Sequence, residues 1–162
     1  MQGAKSAVVF GALVLGLALT AGGAAGDTPR GALEGISGLE VVVMALPPEL
    51  IQQGLTAAAV RTAVAEQLHA SGIPDEHSAT HLLAVTVGAL RAAGRVAMHV
   101  QLEVSPRVRL ADADQGVAMP HSRWRVEGVS LIEQPAAAAV CARVLEYVDR
   151  FIRAYREQNP PQ

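Results

Sequence analysis

Hydrophobic and polar positions alternate most regularly between Val96 and Leu110. Val96, Met98, Val100, Leu102, Val104, Val108 and Leu110 fall on one side, and Ala97, His99, Gln101, Glu103, Ser105, Arg107 and Arg109 on the other. A period of two predicts a strand with one face buried and one face wet. Pro106 within it predicts an edge position or a bulge. Three other segments read as strands. Leu39 to Leu46 is a β-branched apolar run ended by Pro47-Pro48. His81 to Leu90 precedes a turn, Arg91 to Arg95, in which Gly94 can take positive φ. His121 to Val129 carries Trp124 and Val126 on its apolar side.

A different period marks two helices. Thr56 is placed to cap the first, and Leu55 and Val60 have the spacing of a hydrophobic staple. Val60, Val64 and Leu68 then share one face. Gly72 stops the helix, with Ile73 positioned to pack back on Leu68. The second helix begins near Pro135 and carries Cys141, Val144, Leu145, Val148, Phe151, Ile152 and Tyr155 on one stripe.

The predicted order is β-α-β-β-β-α. Three consecutive strands form an antiparallel meander, and both helices must bury their stripes on its one apolar face. The expected fold is therefore an α+β two-layer sandwich. We expect residues 27–38 to be a flexible lead-in, 39–158 a single domain, and 159–162 a tail.

Composition changes this picture at the amino terminus. The chain is 51% hydrophobic and only 3% aromatic. Part of that apolar character lies in residues 1–26, where Lys5 precedes an apolar run from Ala7 to Thr20 and the small residues Ala21-Gly-Gly-Ala-Ala-Gly26. This is the layout of a signal peptide, cleaved before Gly26 or Asp27. The run is shorter than the roughly 20 residues that span a bilayer. The expected location is periplasmic or secreted, in a bacterium, with no stable span after cleavage.

Thirteen Lys+Arg against 15 Asp+Glu provide no electrostatic reason for nucleic acid as a partner. The single cysteine excludes an intrachain disulfide. Lys5 is the one lysine, so every later side-chain positive charge apart from histidine is an arginine.

Taken together, the strand ending in Pro47, Leu55-Thr-x-x-x-Val-Arg61, Leu68-x-x-x-Gly72-Ile73, the Val96–Leu110 strand, the Trp124 strand and Phe151-Ile-x-x-Tyr155-x-x-x-Asn159-Pro160 resemble a group of small exported bacterial proteins of unassigned function. The resemblance implies a shared core and shared helix ends, and brings no catalytic residue with it. The topology is also similar to periplasmic envelope-assembly modules, namely the amino-terminal domain of the Tol-system propeller protein and the lipopolysaccharide-assembly lipoprotein. The chain departs from the latter in having no cysteine near the cleavage region.

The wet sheet face holds the candidate site. A turn at Asp112–Gln115 pairs the flanking strands so that Glu103 lies opposite Arg125, Ser105 opposite Arg123, and Arg107 opposite His121. Arg107, Arg109, Arg123 and Arg125 then share one face, suited to carboxylate, phosphate or a protein partner. The expected partner-binding patch is Glu103, Arg107, Arg109, His121, Arg123 and Arg125; the alternative is a solvated face with one ion pair.

Other chemistry is weaker. His77 and His81, with Asp75 and Glu76, have an i, i+4 spacing that serves a metal only on a helix, and this segment reads as loop and strand. His99 and His121 lie too far apart along their strands for one ion. Asp112 and Asp114 start a calcium-loop pattern that does not continue. Cys141 sits on an apolar stripe, as core cysteines do. Trp124 falls opposite Val104 as a core anchor. No phosphate loop, dinucleotide fingerprint or nucleophile elbow is present.

These observations lead us to expect a non-enzymatic exported module, without a cofactor or metal, that binds a partner protein in the cell envelope. The alternative is a carrier of a small apolar or lipid-like ligand between helices and sheet. An exposed edge strand could also pair two chains into a homodimer.

Overall fold

A computed structural model describes residues 31–92, 95–107, 122–132 and 136–160. The proposed signal peptide, residues 27–30, Gly94, Arg109, His121, Pro135 and the Asp112–Gln115 turn lie outside the described residues.

The chain forms β1 (Glu40–Val43), α1 (Pro48–Gln52), α2 (Ala57–Ala70), β2 (His81–Ala92), β3 (Arg95–Pro106), β4 (Trp124–Ile132) and α3 (Ala137–Gln158). One sheet runs in the order β1-β2-β3-β4. β2, β3 and β4 are the antiparallel meander, and β1 adds in parallel beside β2. The fold is α+β. α2 and α3 lie on the face where Val41, Leu83, Val85, Leu102, Val104 and Trp124 are buried.

Each helix end follows from its sequence. The Thr56 hydroxyl accepts from the Ala59 amide at 3.1 Å and caps α2. Leu55 and Val60 are both buried, as a staple requires. At the other end Gly72 has φ +79°, the Gly72 amide donates to the His69 carbonyl, and Ile73 donates to Leu68. This is the Schellman pattern. The same device ends α1: Gly54 has φ +85°, and Leu55 donates to the Leu50 carbonyl. Pro47-Pro48, expected only to end the first strand, also start α1, where Pro48 opens a single turn that buries Leu50.

Four expectations are corrected. β3 ends at Pro106, and it is a central strand flanked by β2 and β4, not an edge. β4 spans Trp124–Ile132 rather than His121–Val129. Ser105, expected on the wet face, is only 9% exposed. It lies beside Leu82, in a row that the Arg107–Glu40 ion pair crosses from β3 to β1.

The fourth correction concerns the expected lead-in. Residues 31–38 pack into the fold, with Leu33 and Ile36 buried. Gln158 accepts from the Leu33 amide. Asn159 accepts from Gly35 and donates to the Leu33 carbonyl, and the Tyr155 hydroxyl donates to the Ile36 carbonyl at 2.6 Å. The domain thus begins before Leu39 and includes Asn159, because the end of α3 supplies the polar groups that this segment's backbone needs.

Candidate functional site

The pairing of β3 with β4 sets the outer face, and it follows the expected register: Glu103 opposite Arg125, and Val104 opposite Trp124. Trp124 is buried and meets Phe151 edge to face at 5.2 Å.

Of the expected arginines, Arg107, Arg123 and Arg125 are among the described residues, and each already has a partner. Arg125 pairs with Glu103 at 3.2 Å, and Gln101 donates to the same carboxylate. Arg107 pairs with Glu40 and donates to the His77 carbonyl. Arg123 bonds the His81 Nε2 at 3.0 Å. The local positive charge is therefore largely compensated. Arg123 alone among these three has no carboxylate within the described residues.

The remaining candidates serve the fold. Asp75 accepts from the Val41 amide and pairs with Arg61 at 2.9 Å, while Arg61 donates to the Val41 carbonyl. Leu39 bridges the segment at Asp75. These contacts cover the free edge of β1. His77 pairs with Glu40 at 3.1 Å. Among the described residues no group of three His, Cys, Asp or Glu is arranged to hold a metal ion. Burial pushes the Cys141 thiol up, away from its reactive thiolate form.

His81 is held below its ordinary value of 6.5, first by burial and then by the Arg123 guanidinium. The neutral ring suits the role of acceptor from Arg123. Because the folded state resists the proton, stability present above pH 6.5 is lost as pH falls from there through the folded value. The urea midpoint should drop between about pH 7.5 and about pH 5.5, and His81→Gln should flatten that part of the profile. An unchanged slope in the variant would contradict it.

The outer face is not uniformly polar. Rows across the sheet run from Ala84–Glu103–Arg125, through Thr86–Gln101–Glu127 and Gly88–His99–Val129, to Leu90–Ala97–Leu131. The last row is apolar and, with Val129 of the row before it, open: Leu90 is 69% exposed, Leu131 60% and Val129 56%. Alternation within Val96–Leu110 alone did not reveal this, because the apolar side chains come from the two flanking strands.

A second feature escaped the sequence analysis. Gly128, Val129, Ser130 and Leu131 of β4, with Arg143, Tyr147 and Arg150 of α3, line an open cleft of about 240 Å³. Arg143, Tyr147 and Arg150 have i, i+4, i+7 spacing and so form one stripe. That spacing was the available signal; the expected stripe of α3 is buried at Val144, Val148, Phe151 and Ile152, and Tyr147 is buried beside it. The interface between helices and sheet is, by contrast, filled: Val64, Leu68, Leu83, Val85, Leu102 and Phe151 are fully buried there. Packed side chains thus occupy the place expected for a carried ligand.

Among the described residues no helix is long and apolar enough to cross a membrane. No family profile matches the chain, and no curated protein matches it. Among solved structures it is similar to a PelC dodecamer from Paraburkholderia phytofirmans, a point variant of that protein, with a TM-score of 0.40 and 16% identity over 69% of this chain and 86% of that one.

Proposed function

We propose that the protein is an exported, non-enzymatic module that binds a partner protein in the bacterial cell envelope through the outer face of its sheet. One observation carries this reading. The face opposite the helices ends in an exposed apolar cluster, Leu90, Val129 and Leu131, beside a zone of compensated ion pairs. An apolar patch rimmed by polar residues is the usual composition of a protein-binding surface. The signal-like residues 1–26 support the envelope as the place of action.

The paired arginines have a supporting role in this scheme. They fix the orientation of a partner rather than capture a free anion, since their own carboxylates already satisfy them. The double variant Leu90→Asp, Leu131→Asp should fold normally, because both side chains are exposed, and should lose a partner that co-purifies with the wild type. Undiminished co-purification by a folded double variant would overturn this surface.

A further inference from the structure

The two edges of the sheet are treated differently. At β1 the outward amide and carbonyl of Val41 are both taken, by Asp75 and Arg61. At β4 no strand of the described residues pairs with the second edge. β4 has no proline and no lysine, two residues with which proteins blunt such edges. Alternate backbone groups of this nine-residue strand are therefore offered outward.

The cleft lies along this same edge. Inward positions of β4 carry Gly128 and Ser130, and their small size leaves open the space that α3 borders. Gly128 is required there, since a Cβ would overlap the Tyr147 hydroxyl. Arg150 stacks over the Tyr147 ring at 4.8 Å and has no carboxylate partner among the described residues. Arg143 shares its charge with Glu146, which is on the exposed side of the helix.

From this arrangement we infer that β4 accepts an extended acidic segment of another protein as a fifth strand. Strand addition supplies backbone hydrogen bonds, and alternate side chains supply specificity. Residues of the added strand that point toward α3 would meet Arg143 and Arg150. Those that point the other way would extend the exposed row of Val129 and Leu131. The fitting sequence therefore alternates carboxylates with apolar residues. The two arginines are about 10 Å apart along the helix. Carboxylates two or four residues apart in a strand, about 7 or 13 Å, bracket that distance.

A second copy of β4 fits less well. Its inward residues are Trp124, Val126, Gly128, Ser130 and Ile132, which bring no negative charge to the arginines, while its Glu127 points to the outer face. This site shares Val129 and Leu131 with the outer face, but Arg143 and Arg150 belong to it alone, so the two readings can fail separately.

The test is titration of the protein with a labelled ten-residue peptide of alternating Glu and Val, and with its Lys-Val counterpart, combined with amide hydrogen exchange. The Glu-Val peptide should bind saturably and slow exchange in β4. The variant Arg143→Gln, Arg150→Gln should remain folded, with a cooperative urea transition, and lose at least about tenfold in affinity. Equal binding of the Lys-Val peptide, undiminished binding by the folded variant, absence of binding, or a peptide-free dimer that already protects β4 would each overturn the inference.

Discussion

Phe151→Ala is expected to lower the stability of the protein by about 3–5 kcal/mol, the largest effect of any single truncation in this core. Phe151 is fully buried. Its ring meets Trp124 of β4 at 5.2 Å and Tyr155 at 5.9 Å, so one side chain joins the sheet to the part of α3 that holds residues 33–36. Truncation would remove the transfer free energy of the ring and leave a cavity walled by two other aromatics. In a chain with only 3% aromatic residues, few large side chains are available to collapse into it. Phe151→Leu should cost much less, since it keeps most of the volume. Urea denaturation of both variants measures the difference; equal midpoints would show that the aromatic contact is not central to the core.

Gly128→Ala is expected to be the second large effect, about 1–3 kcal/mol, which is unusual for a methyl added to a strand. The new Cβ would overlap the Tyr147 hydroxyl, and the ring carbon bearing it lies 3.2 Å away. Tyr147 is only 6% exposed and is covered on one side by Arg150, so it has little room to withdraw. The cause can be isolated. In Gly128→Ala, Tyr147→Phe the overlapping oxygen is gone, and most of the loss should be recovered. Tyr147→Phe alone should be nearly neutral. A double-mutant cycle with a coupling of about 1 kcal/mol or more is the predicted outcome. Additive effects would mean that the glycine is needed for some other reason.

Local determinants are legible in the sequence. Thr56, the Leu55–Val60 pair and the Gly72-Ile73 end specify α2 because each satisfies backbone groups within a few residues of itself. The β3–β4 register was readable because Trp124 and Val126 must share the buried face with Val104 and Leu102. Pro48 and Gly54 held the same information for α1. Its single turn is too short to show a period, so the prolines were read only as the end of a strand.

What could not be read depends on partners far apart in sequence. Leu33 and Ile36 became core because Gln158, Asn159 and Tyr155 receive their backbone groups. Nothing within residues 27–38 announces that. The arginine face was correctly assembled around Glu103 and Arg125, but its charge was misjudged. Glu40 reaches Arg107 only because β1 lies parallel to β2, and the position of β1 in the sheet was not determined by the meander. The apolar end of the outer face was hidden for a related reason: Leu90, Val129 and Leu131 come from separate strands and become one cluster only by pairing with β3. On α3, Val140 and Tyr147 are buried while Cys141 and Leu145 lie at the margin of the core. The buried stripe is thus wider than expected, and Arg143 and Arg150 flank Tyr147 beside β4.

If the outer sheet face is where a partner binds, its neighbourhood in the cell should be directional. A photocrosslinking residue placed at Leu131 in the full-length protein should yield an adduct of one discrete mass after irradiation of intact cells. The same residue at Glu66, exposed on α2 in the helix layer, should yield none. Adducts of equal yield from both positions, or none from Leu131 with the protein present and folded, would contradict partner binding through the sheet.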